Sequence, residues 1–178
     1  SSNDPDLPPS YFTNVANSAI APYIGSFTTN LFRCPTDLES LERERTWRRT
    51  GGANPYLYSY TFVSVFSDGQ NHGMASRYGA GAPPLHFQAN YITAPSKKMM
   101  LVEENNSSDN YANSVSDDGR FVPPGNVLSG RHAFGRLQRV DTDQFFSKGK
   151  GSVVFGDTHT EVVNPQMARE REYYDPMF

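Results

Sequence analysis

One cysteine, Cys34, is all that the 178-residue chain contains, which excludes an intrachain disulfide and with it a disulfide-stapled scaffold. No C-x-x-C pair is available for a metal or a redox reaction. The four histidines, His72, His86, His132 and His159, form no HxxxH or HxxE pair, so no zinc-ligand spacing is visible. A G-x-S-x-G elbow is also missing. Cys34 stands before Pro35 in "FRCPTD", a setting that suits a small buried hydrophobe better than a nucleophile. No apolar run approaches the ~20 residues of a membrane span, and the opening "SSNDPDLPPS" does not have the form of a signal peptide. Charge of one sign is lacking too, with a net of −3. The densest basic stretch, "ERERTWRR", sets Arg43 and Arg48 four residues after Glu39 and Glu44, which reads as a self-neutralised helix face. With no basic stripe interleaved with aromatics, nucleic acid is not an expected partner.

Aromatics, glycine and proline are plentiful: ten Tyr, twelve Phe, fourteen Gly and thirteen Pro. That mixture favours strands, turns and long loops, and the length suits one domain able to bury a core unaided. Residues 1–10 read as a polar, proline-rich connector and 11–178 as a single globular head. A short helix is expected over roughly Tyr11 to Ala19. A second begins near Thr36, where Glu39 completes a capping-box pattern. "YLYSYTFVSVF" (Tyr56 to Phe66) and "KKMMLVEE" (Lys97 to Glu104) read as strands. "SVVF" and "HTEVV" flank the three-residue gap "GDT" and read as a hairpin. Residues 67–84 and 105–130 read as long loops. The expected fold class is α+β, short N-terminal helices packed on an antiparallel sheet, with strands from Tyr56, Lys97 and Ser152. Cys34, Tyr60, Phe62, Leu101, Val154 and Phe155 are placed in or near the core.

Among cations, only calcium has candidates: Asp117 and Asp118 in "SVSDDGRF", and Asp141 and Asp143 in "VDTDQ". Flexible, oxygen-rich loops suit hard cations, but neither stretch has the D-x-[DN]-x-[DN]-G form, and a solvated Asp-Gly turn is the simpler reading. No other cofactor is expected.

Four stretches, taken in order, resemble a known family. "LFRCPTD" is similar to its "lfrCPsD" signature, and "YLYSYTFV" to the "SYamN" strand that follows. "APSKKMMLVEEN" resembles "nPsktvlvaEs", and "GRHAFG…GSVVFGDTHTEVV" resembles the closing "RH…G…vnvlFaDGHve". These are marks of the prepilin-type proteins with the H-x9-DG signature, common in planctomycete and verrucomicrobial bacteria and related to type II secretion pseudopilins. The likeness spans roughly Leu31 to Val163. It makes Cys34, Pro35, Asp37, Glu103, His132, Asp157 and His159 the family-signature positions, with structural roles expected for them. Two departures stand out. Twenty-four residues separate His132 from Asp157, so "AFGRLQRVDTDQFFSKGKG" carries an insertion. And Thr158 replaces the glycine of Asp-Gly, which implies a turn wider than, or different from, a two-residue type I′ turn.

The resemblance implies a pilin-like head whose membrane-anchoring N-terminal helix lies outside this chain, with residues 1–10 as its connector. The implied function is that of a non-enzymatic subunit of a type II secretion or type IV pilus-like assembly, facing the periplasm or cell surface. Its partners would be other pilin-like subunits or secretion-system components. An alternative is a cell-surface binding module that takes a glycan or secreted partner on the aromatic-rich loops around Tyr78, Phe87 and Tyr91. A hydrolase using His132, Asp157 and His159 is a third reading, and it requires those side chains to converge on one pocket.

Overall fold

The computed structural model describes residues 29–37, 58–63, 90, 92–105, 120–123, 126–134, 141–176 and 178. The expected connector 1–10, the helix at Tyr11 to Ala19 and the helical residues after Asp37 lie outside this set. So do Tyr56, Asp117, Asp118, Tyr78, Phe87 and Tyr91.

The fold is mixed α+β. Its strands are β1 (Tyr60–Val63), β2 (Met99–Asn105), β3 (Arg120–Phe121), β4 (Val127–Leu128), β5 (Gly151–Phe155) and β6 (Thr160–Val163). Four of them, in the order β1-β2-β5-β6, form an antiparallel sheet. β3 adds to β1 in parallel, and β4 pairs antiparallel with the end of β2. Among the described residues there are three short α-helices, α1 (Arg131–Phe134) and α2 (Thr142–Lys148) between β4 and β5, and α3 (Arg171–Tyr174) after β6.

β-branched residues are frequent in β1, β5 and β6, and the period-2 geometry of a strand, seen in the alternating burial of β5, gives the sheet one apolar face. Val63, Val102, Val153, Phe155 and Val163 line that face, and Met99, Phe121, Leu128, Ala168 and Tyr174 join them. The expectation that Tyr60 and Phe62 lie in or near the core is corrected. Thr61 and Val63 are buried, whereas Phe62 is 44% exposed and Tyr60 is half-buried. Phe62 pairs with Leu101, which pairs with Val154, so all three belong to the opposite face of the sheet. Leu101 and Val154 are half-buried there; Cys34 and Phe155 are buried as expected.

Two segments read as loop contain structure. Residues 105–130 hold β3 and β4, each only two residues long and held by partners distant in sequence. The insertion after His132 holds α2, where Asp141 caps the helix by accepting from the Gln144 N–H at 2.9 Å. An Asp followed three residues later by Gln is the spacing of an N-cap signal, and it is present in "DTDQ". This gives Asp141 a helix-capping role, with Asp143 exposed in the first turn. The C-terminal segment is fastened by Thr93, whose N–H donates to the Pro176 carbonyl at 2.9 Å. Buried Lys98 adds a bond from Nζ to the Glu172 carbonyl at 2.5 Å.

Gly151 opens β5 where the chain has no room for a side chain. A Cβ there would lie 2.3 Å from the Ser129 carbonyl oxygen and 3.0 Å from Leu128 Cγ. Since the obstacle is backbone, Gly151→Ala is expected to cost on the order of 1–3 kcal/mol, read as a lower urea midpoint at unchanged m-value.

Candidate functional site

The site lies at the middle of the sheet, where β2 carries two consecutive carboxylates. Glu103 and Glu104 point to opposite faces and both are fully buried. Removing a carboxylate from water is costly unless it is paired and hydrogen-bonded, so each must be met by partners. Asn126 Nδ2 donates to Glu104 Oε1. Glu103 is met by α1, whose first two residues are Arg131 and His132.

α1 is placed by backbone. The His132 N–H donates to the Lys150 carbonyl at 3.0 Å, and Ser129 N–H to the Glu103 carbonyl at 2.7 Å. From that position His132 Nε2 donates to Glu103 Oε2 at 2.7 Å. Arg131 Nε lies 3.3 Å from Glu103 Oε1, and Arg131 Nη1 lies 3.2 Å from Asp37 Oδ2. Arg131 also donates from Nε to Ser129 Oγ at 2.8 Å and from Nη2 to the Glu104 carbonyl at 3.1 Å. Its two carboxylate contacts are ion pairs by distance but are not aligned as hydrogen bonds. Glu103 Oε1 and Arg131 Nη1 have no hydrogen-bond partner among the described residues.

The 29–37 segment closes the other side. Ser59 Oγ accepts from the Cys34 N–H at 2.9 Å and donates to Asp37 Oδ2 at 2.6 Å. Pro35 and Thr36 turn the chain between Cys34 and Asp37, with the Asp37 N–H donating to the Cys34 carbonyl at 2.9 Å. Cys34 Sγ is thereby held 2.9 Å from Thr36 Oγ1 and 3.7 Å from His132 Nε2. Ser152 Oγ, from β5, is 3.2 Å from the same nitrogen.

The electrostatics follow from these contacts. Burial pushes Glu103 up, but the His132 hydrogen bond and the Arg131 charge outweigh it and hold the carboxyl below its ordinary range. The hydrogen bond to Glu103 raises His132, with burial opposing. Both shifts describe one imidazolium–carboxylate pair. Burial pushes the Cys34 thiol up despite its Thr36 contact, which disfavours a free thiolate nucleophile. Burial, reinforced by Cys34 and Glu103, lifts the Tyr60 phenol above the usual tyrosine range.

Of the sequence-derived positions, the structure thus brings together Cys34, Asp37, Glu103 and His132, with Pro35 in the turn between the first two. It places Asp157 and His159 elsewhere, past the far end of β5. There the Thr158 N–H donates to the Phe155 carbonyl and the Phe155 N–H to the His159 carbonyl, each at 2.9 Å. The Asp157 carboxylate accepts from the His159 N–H at 3.2 Å and from the His159 ring, which stacks on Phe155. His132 and the Asp157/His159 pair are separated by the length of β5, on the order of 15 Å, so the three do not share a pocket. Arg131, Ser59, Ser129 and Ser152 were not singled out from sequence. Arg131 stood beside His132 in "GRH" and was the most accessible of them.

The turn is the wider form that Thr158 implies. Gly156, Asp157 and Thr158 make a three-residue loop in which Thr158 takes the left-handed conformation at φ 74°. An L-residue there costs roughly 1–2 kcal/mol, more pointedly when β-branched. Thr158→Gly is therefore expected to stabilise the hairpin by about 0.5–1 kcal/mol after the greater backbone entropy of unfolded glycine is deducted, read as a raised Tm.

Comparison of the chain with protein-family models, with curated proteins and with solved structures returned no match.

Proposed function

We propose that this chain is a non-enzymatic, pilin-like or pseudopilin-like head, a subunit of a type II secretion or type IV pilus-like assembly at the periplasmic side or cell surface. The observation that supports it most is how the polar residues of the resembling stretches are used. Cys34 and Asp37 from the first, Ser59 from the second, Glu103 from the third and Arg131 and His132 from the fourth bind one another in the interior. Residues so engaged lock a loop and a helix to a sheet; they are not arranged to meet a substrate. His132 Nε2 faces Cys34, Glu103 and Ser152 at once, whereas a nucleophile–base–orienter relay uses the two ring nitrogens separately. The second face of the sheet also presents Phe62 and Val162, 44% and 56% exposed, apolar surface of the kind that packs against another chain.

Among the described residues no helix is long and apolar enough to cross a membrane. The test is to express the complete coding region in its native host and follow its processing. A short basic leader, an apolar stretch of ~20 residues, cleavage by a prepilin peptidase and recovery in the inner-membrane fraction are expected. A coding region without such a leader and stretch overturns the proposal.

A further inference from the structure

We propose that Cys34, Glu103 and His132 are a binding site for a single Zn²⁺ ion, which acts as a structural cross-link between the 29–37 segment, the central strand β2 and helix α1. This goes beyond the assembly role and does not depend on it. The side chains come from three places far apart in sequence, yet one ligand atom from each lies within 4.8 Å of the others. A sulfur, an imidazole nitrogen and a carboxylate oxygen are the donor set of zinc.

The geometry around His132 Nε2 carries the proposal. That nitrogen lies 2.7 Å from Glu103 Oε2, 3.2 Å from Ser152 Oγ and 3.7 Å from Cys34 Sγ. One N–H serves one acceptor well, and here Glu103 takes it; the hydroxyl and the sulfur crowd the same direction with little return. A cation between them satisfies all the donors together. Tetrahedral zinc, with Zn–S near 2.3 Å and Zn–N near 2.0 Å, sets those two ligand atoms about 3.5 Å apart. The Cys34–His132 separation of 3.7 Å already matches. The Glu103–His132 pair must open from 2.7 Å to about 3.4 Å, a side-chain adjustment. Ser152 Oγ is placed to act as the fourth ligand.

A second observation is the buried carboxylate itself. Glu103 has no exposed side-chain surface, and its Oε1 has no hydrogen-bond partner among the described residues. Arg131 beside it does not repel the metal uncompensated, because Asp37 sits 3.2 Å from the guanidinium. Formal charge is conserved on loading. Zn²⁺ forms bonds to sulfur, nitrogen and oxygen, while the Cys34 S–H and the His132 Nε2–H release their two protons to water. The sum over Asp37, Glu103, Arg131, Cys34, His132 and metal is zero before and after. His132 is the partly exposed member, 27% at its side chain, and provides the entry path.

The test is titration of chelator-treated protein with Co²⁺ and then Zn²⁺. One equivalent of Co²⁺ is expected to give a sulfur-to-cobalt charge-transfer band and intense tetrahedral visible bands, both abolished by Zn²⁺, and Zn²⁺ is expected to raise Tm. Cys34→Ser and His132→Gln should each weaken binding by on the order of 100-fold or more. His159→Gln, in the exposed Asp157 pair, should leave it unchanged. X-ray absorption of the zinc-loaded wild-type protein reads the ligands whether or not the variants fold, and should show one sulfur with nitrogen or oxygen neighbours. No one-to-one binding at a hundred micromolar-scale metal, a shell without sulfur, or full affinity in folded Cys34→Ser overturns the site.

Discussion

Arg131→Met is expected to destabilise the protein by about 3–5 kcal/mol, the cost of breaking a buried ion pair by removing one partner. Spread over a chain of this size, that lowers Tm by on the order of 10 °C. The guanidinium is only 8% exposed and lies between two carboxylates, Asp37 and Glu103, which are 2% and 0% exposed. Methionine matches much of its length and fills its volume, so the loss is electrostatic. Two buried anions then face each other across the gap without the cation that neutralised them, although His132 and the Ser152 N–H still meet Glu103 and Ser59 still meets Asp37. Arg131→Lys should fall between, because an ammonium is a point charge and cannot reach Asp37, Glu103, Ser129 and the Glu104 carbonyl together. The decisive comparison is Arg131→Met combined with Asp37→Asn and Glu103→Gln. With the anions neutralised, the triple variant should be more stable than Arg131→Met alone, a coupling seen only if the charges are the cause. If Arg131→Met unfolds at the wild-type urea midpoint, the network contributes nothing to stability.

The sheet was largely legible in the sequence, and its inner face was not. Runs of β-formers with turn residues between them mark β1, β2 and the β5–β6 hairpin, because strand propensity is written locally. Which face turns inward is decided by neighbours. In β1 the larger set, Tyr60 and Phe62, looks like the natural core set. Yet the core is filled by Phe121, Phe155 and Met99 from elsewhere, and the smaller Thr61 and Val63 fit against them. Tyr60 goes to the polar side because Cys34 and Glu103 wait there. β3 and β4 were invisible because two residues have no period, and their partners lie far along the chain. The site was legible as parts: Cys34, Asp37, Glu103 and His132 could be picked out, but not that they meet. A lone arginine such as Arg131 reads as surface in a sequence, and only the two buried carboxylates show why it is inside. The same separation in sequence hid the Cys34–Glu103–His132 cluster from a search for ligand spacing, since such searches recognise only neighbours on one helix or loop.

In chelator-treated protein, His132→Gln is expected to lose about 1.5–3 kcal/mol at about pH 5.5 and progressively less as pH rises toward 9. The direction follows from the Glu103 hydrogen bond, which raises His132 above its ordinary 6.5 despite opposing burial. The folded protein therefore binds that proton more tightly than the unfolded chain. The linked stability is fully present below pH 6.5 and is lost as pH climbs through the folded value. Glu103 works in the opposite sense. Burial would raise it, but His132 and Arg131 hold it below its ordinary 4.5, so its contribution is present above pH 4.5 and is lost as pH falls through the folded value. Between the two lies the range of greatest stability, mildly acidic to near neutral. His159, raised by exposed Asp157, titrates in the same direction as His132, so the comparison belongs in a His159→Gln background. Urea unfolding at a series of pH values reads the difference between the two proteins directly. A difference that widens above pH 7 would mean that neutral imidazole, not imidazolium, is the form that binds Glu103. It would then follow that Glu103 carries the proton and that Arg131 pairs chiefly with Asp37.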